Sequence, residues 1–293
     1  MLLLSVTKRY LAIKGESMNY LKRKRNQFDY CNICGKKKNL TWDHVPPKST
    51  GNNSEIITNR FGEGLPRSNS YQKKYQSGIK FRTICEECNG NLLGYYDIEY
   101  KKFIEDIKYI LNANLLLPNT INLTVKINKI CRAICGHFLA AKDFYDNESV
   151  IDNELRKYVL NPNLSGKNVA KLYYWLYPYN TVLIIRDVVT SSYTGQVAFP
   201  SNCISIINSF PLAIILDDGE ESQCKLNNLM CLTSENIEDT VNISLDLSSV
   251  YYPDTKKNRH FMWPCNISNE WDGAAMILGG ESMMEDSRVG IKL

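Results

Sequence analysis

Long hydrophobic runs are missing from this sequence: no stretch approaches the ~18 apolar residues that would suggest a membrane helix. The opening MLLLSVTKRY loses its apolar character after Val6, at Lys8 and Arg9, which is too short for the core of a signal peptide. Met18 precedes the first dense motif, so residues 1–17 read as an upstream start or a loose arm. Internal repeats and low-complexity tracts are also lacking, which excludes solenoids and disordered polar chains. Histidine is scarce, with only His44, His137 and His260. Imidazole is the side chain that ordinarily titrates near neutrality, so acid–base chemistry built on it has few places to reside.

What is present suits a globular protein. The 293 residues are 44% hydrophobic and 23% charged, enough for a sizeable core in one large domain or two ordinary ones. Ten cysteines occur, at 31, 34, 85, 88, 131, 135, 203, 224, 231 and 265. They show no framework spacing, so a reducing cytoplasm is expected, with four metal-binding thiolates and six mostly buried small hydrophobes. Charge is uneven. Residues 1–110 hold 20 Lys and Arg against 11 Asp and Glu, a balance of +9, and the remainder carries −5. A basic front half on a mildly acidic back half points to a polyanionic partner. A run such as LKRKR at 21–25 reads equally well as a solvated tail.

Along the chain, CNICGKKKNLTWDH (31–44) opens with a Cys-x-x-Cys-Gly turn. A basic loop follows, then a short β-prone run, Leu40–Trp42, ending at Asp43-His44. Pro46 and Pro47 stop it. Residues 48–78 are polar and read as a long loop, and 79–84 alternate as a strand does. Ile98, Phe103, Ile104, Ile107 and Leu111 recur at helical spacing, with Asp97 as the expected N-cap. Further helices are expected over about 124–144 and 151–160. Strands are expected at 181–189, 196–199, 203–207, 211–218 and 241–247.

Cys31/Cys34 and Cys85/Cys88 are two C-x-x-C pairs from separate chain segments. Four thiolates match a closed tetrahedral zinc site, which would staple a module with little core of its own. No thioredoxin-like pattern surrounds either pair. Between them, Asp43 offers a hard carboxylate oxygen to a divalent cation and His44 can take a proton from water. Asn89, directly after the second knuckle, adds an amide oxygen. Phosphodiester hydrolysis needs an activated water, a cation on the phosphate and a stabilised leaving oxygen, and these three residues with one Mg²⁺ or Mn²⁺ could supply them. Lys36, Lys37, Lys38, Lys48, Arg67, Lys73, Lys74, Lys80 and Arg82 are candidate phosphate contacts. Tyr71 and Tyr75 are candidate base-stacking residues. Cys131, Cys135 and His137 read as core packing on a helix, and His260, Trp263 and Cys265 as structural.

The string C-x-x-C…DHVPPK…C-x-x-C-N resembles the HNH, or ββα-metal, endonucleases, especially the zinc-knuckle branch that includes endonuclease VII. With the later D-x-E-Y at 97–100 it also resembles HNH proteins of bacterial anti-phage systems. The resemblance covers about residues 28–110 and implies a DNA-cleaving enzyme. Asp43 and Asn89 would bind the catalytic ion, His44 would be the base, and Cys31, Cys34, Cys85 and Cys88 would bind zinc. Asn52, Asn53, Asn59 and Asn69 all lie in the long loop, and spacing does not choose the family's middle asparagine among them. Leu92 and Leu93 stand where many members carry one more ligand.

The expected fold is α+β: a basic arm at 1–27, a ββα-metal module with structural zinc at 28–115, and a C-terminal domain at 116–293 with a helical segment and a β-rich part. That last domain would serve partner binding, self-assembly or sensing. Expected partners are DNA, or RNA, and a regulatory protein or a second copy, with no membrane. A zinc-knuckle protein that binds nucleic acid without cutting it is the rival reading.

Overall fold

A computed structural model describes residues 25–60, 73–113, 116–177, 181–191, 193–194, 197–198, 202–217, 227–247, 276–277 and 288–292. The first layer is a small antiparallel sheet. β1 (Phe28–Tyr30) and β2 (Lys37–His44) form a hairpin closed by the first cysteine turn. Gly35 takes a left-handed φ of 67° there, and a Cβ on it would lie 2.7 Å from the Tyr145 hydroxyl, so the turn needs glycine. The stretch expected as loop holds a short helical turn (Lys48–Thr50), β3 (Ile56–Arg60) and β4 (Lys73–Tyr75). β5 (Lys80–Cys85) then pairs with the far side of β2. Thr41 pairs with Ile84 and Trp42 with Arg82, so Thr83 bulges out of the ladder. Its hydroxyl donates to the Ala140 carbonyl at 2.6 Å.

From β5 the chain enters a wide π-type turn, Glu87–Leu93, that continues into α1 (Gly94–Leu111). Helix thus begins well before Asp97, whose side chain caps nothing and lies in the first turn of α1. After β6 (Thr120–Val125) comes α2 (Ile127–Ala140), every residue of which is buried. A helix apolar nearly all round belongs at the centre of a fold, and α1 and α3 (Val150–Leu160) pack on it. The one arginine inside it, Arg132, lies over the Tyr158 ring at 4.1 Å and donates to the carbonyls of Asn128, Asn161, Pro162 and Leu164.

The rest is mainly β: β7 (Lys171–Leu176), β8 (Thr181–Ser191), β9 (Tyr193–Thr194), β10 (Val197–Ala198), β11 (Asn202–Ser209), β12 (Leu212–Asp217), β13 (Val241–Asp246), β14 (Met276–Ile277) and β15 (Arg288–Lys292). The large sheet runs β4-β3-β15-β8-β11-β12-β7, with β14 also on β8, and β13 pairs with β6. All six residues of β12 are buried, as in a strand covered on both faces. The architecture is therefore α+β, as the sequence implies. The insert between the two cysteine pairs reaches into the large sheet, because β3 pairs with β15. A single cluster of buried side chains runs from Cys31, Ile33 and Phe81 through α2 to Leu172 and Ile214. Among the described residues no helix is long and apolar enough to cross a membrane.

Three hydrogen bonds fix the first cysteine turn against the helices. Asn32 donates to the carbonyls of Leu139 (2.9 Å) and Lys142 (2.7 Å), and Arg156 donates to the Asn32 carbonyl at 2.8 Å. Lys142 itself is buried among Asp146, Asp152 and Asp187 at 2.7–3.0 Å, with Arg186 on Asp152 at 2.9 Å. This network ties the end of α2 to α3 and to β8. The basic arm up to residue 24, Arg67, Asn69, Tyr71, Cys224, His260, Trp263 and Cys265 lie outside the described residues.

Candidate functional site

The hairpin turn supplies Cys31 and Cys34, the last residue of β5 is Cys85, and Cys88 sits in the wide turn one step further on. Their four sulfur atoms lie within 4.8 Å of one another. A tetrahedron of ~2.3 Å zinc–sulfur bonds has edges of about 3.8 Å, and Cys34 Sγ is 3.9 Å from Cys85 Sγ. Electrostatics agree. The hydrogen bond from Cys88 holds the Cys31 thiol down at about 5, against the opposing effect of burial, and backbone N–H groups, that of Cys85 among them, assist. Burial pushes Cys34 up to about 11, and the hydrogen bond to Cys31, with burial, pushes Cys88 far up. Without a cation the cluster carries a thiolate readily at Cys31 and resists one at Cys34 and at Cys88. A cation at its centre would reverse that. The four cysteines could hold a metal ion such as zinc.

Ten residues beyond Cys34, β2 ends at Asp43-His44. Strand alternation and the bulge turn Asp43 inward, and it is buried. Its Oδ2 accepts a 3.1 Å hydrogen bond from Nδ1 of His137, whose Nε2 donates to Asp97 Oδ1 at 2.9 Å. Burial alone would pull the His137 pKa down, but Asp97 and then Asp43 outweigh it and hold it at about 10. His137 is thus an imidazolium with both N–H groups spent on carboxylates. The sequence reading placed it in the apolar core beside Cys131 and Cys135. The two cysteines are core, fully buried with their thiols pushed up; His137 is buried as well, but it is spent on Asp43 and Asp97 and does more than pack. The scarcity of histidine was the one signal that could have marked it. Removing the imidazolium strands two carboxylates, so His137→Ala is expected to destabilise the fold by about 3–5 kcal/mol, read from denaturant unfolding.

His44 is half-buried. Its Nε2 lies 2.9 Å from the Ser77 carbonyl. A carbonyl only accepts, so Nε2 carries the proton and the neutral ring keeps its lone pair on Nδ1. Burial holds the His44 pKa below its ordinary value. Asn89, in the wide turn, donates through Nδ2 to Thr41 Oγ1 (3.1 Å) and to the Trp42 carbonyl (3.2 Å), which brings its side chain to β2 beside Asp43. Each of the three side chains therefore has one polar atom fixed to the scaffold. Asp43 Oδ1, His44 Nδ1 and Asn89 Oδ1 have no hydrogen bond among the described residues.

Asn52, one of four loop asparagines, is the residue that shapes this end of the site. Fully buried, it donates to the carbonyls of Pro46 (2.8 Å) and Ile79 (3.0 Å) and accepts from the Ile79 N–H (2.8 Å). It packs on Gly78, where φ is +81° and a Cβ would meet the Asn52 carbonyl at 2.1 Å. The turn it fixes is the one whose Ser77 carbonyl orients His44. Asn52→Ala is expected to cost about 1–3 kcal/mol for each backbone group left unpaired, measurable as a lowered unfolding midpoint.

The candidate phosphate contacts differ in how free they are. Lys36 and Lys48 are exposed. Lys37, also exposed, lies over the Phe28 ring at 5.7 Å, and Lys38 is paired with Glu87. Both belong to β2 rather than to a loop. Lys80 donates to Ser77 Oγ at 2.7 Å, and Arg82 donates to the Arg25 carbonyl at 2.6 Å while lying over the Trp42 ring at 5.4 Å. Lys73 and Lys74 are in β4, and their side chains lie outside what is described. An open cavity of about 380 Å³ is lined by Tyr75, Gln76, Ser77, Gly78 and Lys80, the turn whose Ser77 carbonyl meets His44. Comparison of the chain with family models, curated proteins and solved structures finds no match.

Proposed function

We propose that this protein is a metal-dependent endonuclease of the HNH type, hydrolysing phosphodiester bonds in DNA. One observation carries the reading: Asp43, His44 and Asn89 are each anchored through one atom and keep free the atom that this chemistry requires. Cys31, Cys34, Cys85 and Cys88 would hold structural zinc, which locks β2 to the start of α1. Asp43 Oδ1 and Asn89 Oδ1 would hold a Mg²⁺ or Mn²⁺ ion, whose part is to neutralise charge on the scissile phosphate. His44 Nδ1 takes the proton of the attacking water, and Ser77 keeps its ring in the required tautomer. His137 orients Asp43 and, having no free nitrogen, does not compete as a base. Asn52 fits the family's middle asparagine, since it pins the loop that positions His44. A role in anti-phage defence, under the control of a partner or signal, belongs to the same proposal and rests on the motif resemblance.

A second reading has one specific observation behind it. Leu93, where many family members place a further ligand, is buried, and a Cβ on Gly136 would lie 2.2 Å from its side chain. Core packing has replaced chemistry at that position, which suits a module that binds without cutting. Supercoiled plasmid and a single-stranded RNA, each incubated with pure protein and Mg²⁺ or Mn²⁺, separate the possibilities. Metal-dependent nicking or linearisation of the plasmid is the expected result. Intact plasmid that is still retarded in a gel would favour the binding module, and cleavage confined to RNA would reassign the substrate.

A further inference from the structure

Trp42 leaves 60% of its surface in water, although its neighbours on either side, Thr41 and Asp43, are half-buried and buried. An indole is among the most apolar side chains a protein owns and is ordinarily covered. Its location is specific. In β2, residues two apart project from the same side, so Trp42 and His44 share a face. The β2–β5 register sets Arg82 opposite Trp42 and Lys80 opposite His44. An aromatic plane, a guanidinium, an imidazole and an ammonium thus form one block at the end of the sheet. Two of its members are held in place: Arg82 by the Arg25 carbonyl and Lys80 by Ser77. Asn89 holds the Trp42 carbonyl itself at 3.2 Å. The cavity lined by Tyr75 to Lys80 lies on the Lys80 side of the block.

We infer that this block is a subsite for an unpaired nucleobase: Trp42 stacks on the base, and Arg82 and Lys80 contact the flanking phosphates. The inference rests on the nuclease reading and adds the form of its substrate. Every base has a π-face, so stacking on an exposed indole is tolerant of sequence. A base inside a duplex has both faces covered by its neighbours and must be unstacked at a cost before it can reach Trp42. A phosphate next to the stacked base lies within one nucleotide of His44. The favoured substrate is therefore single-stranded, or a duplex opened by a flap, gap or bubble. The exposed cations Lys36 and Lys48 lie on the same module and match the charge of its backbone.

Binding can be read without cleavage by leaving out added Mg²⁺ and Mn²⁺ while zinc is retained. The probes are a labelled oligothymidylate and a duplex of equal length, followed by fluorescence anisotropy. Wild type should prefer the single strand. Trp42→Ala should weaken single-strand binding about tenfold or more and duplex binding by a much smaller factor, whereas Trp42→Phe should recover most of the loss. An unchanged circular dichroism spectrum certifies the fold of each variant. If Trp42→Ala weakens both probes equally, or neither, while wild type binds nucleic acid, the subsite is wrong and the nuclease reading stands. If wild type binds neither probe, both fall. Self-association that disappears in Trp42→Ala, without a change in nucleic-acid affinity, would assign the indole to a protein contact and overturn the subsite.

Discussion

His44→Ala is expected to slow phosphodiester cleavage by about 10²–10⁴-fold while leaving zinc content and unfolding midpoint nearly unchanged. The reasoning starts from the ring's two nitrogens. Nε2 is committed to the Ser77 carbonyl at 2.9 Å, so the ring contributes a lone pair at Nδ1 and little to the core. Losing it removes the proton acceptor and one hydrogen bond at the edge of the site. No other histidine described can replace it, because both nitrogens of His137 are held by Asp43 and Asp97. Single-turnover cleavage of plasmid, with calorimetry on the same preparations, checks both halves. Cleavage at the wild-type rate would remove His44 from the chemistry.

Cys85→Ser is expected to abolish zinc binding and the folding of β1, β2 and β5 together. Four sulfurs within 4.8 Å join the hairpin turn to the end of β5, and structural zinc sites contribute on the order of 10–16 kcal/mol of apparent binding energy. Wild type should contain about one zinc per chain. In the variant, the near-ultraviolet signal of the front module should collapse and amide exchange across β2 should accelerate. The helices and the large sheet have their own buried contacts, from Leu155 and Tyr158 to Ile214 and Leu216, and should persist. A zinc-free wild-type protein with an intact front module would refute the staple.

The local parts of the site were legible because their signals are local. C-x-x-C spacing marks both knuckles, the end of β2 is β-prone, β5 alternates, and Asn89 follows a knuckle directly. The parts that were not legible depend on contacts across the chain. His137 and Asp43 are 94 residues apart, and on an otherwise apolar helix a histidine reads as packing. Asn52 is one of several asparagines in a polar stretch, and only the closing of the loop onto Ile79 distinguishes it. The same stretch reads as loop because the partner of β3 is β15, more than two hundred residues away. Helical spacing predicts a helix from about 124, but Thr120–Val125 is strand β6, whose partner β13 lies more than a hundred residues away, and the helix begins only at Ile127. Asp97 carries an N-cap signature, which the wide turn beginning at Glu87 overrides. Trp42 reads as an ordinary β-former until its exposure is seen.

The central claim is that the cysteine cluster holds one ion and thereby fixes Asp43, His44 and Asn89 around a second. Crystals grown with zinc and soaked in Mn²⁺, with anomalous diffraction recorded at the edge of each metal, test it most directly. The account predicts a zinc peak at the centre of Cys31, Cys34, Cys85 and Cys88, and a manganese peak in contact with Asp43 Oδ1 and Asn89 Oδ1. Manganese absent from that position, with both oxygens turned to protein partners instead, would contradict it.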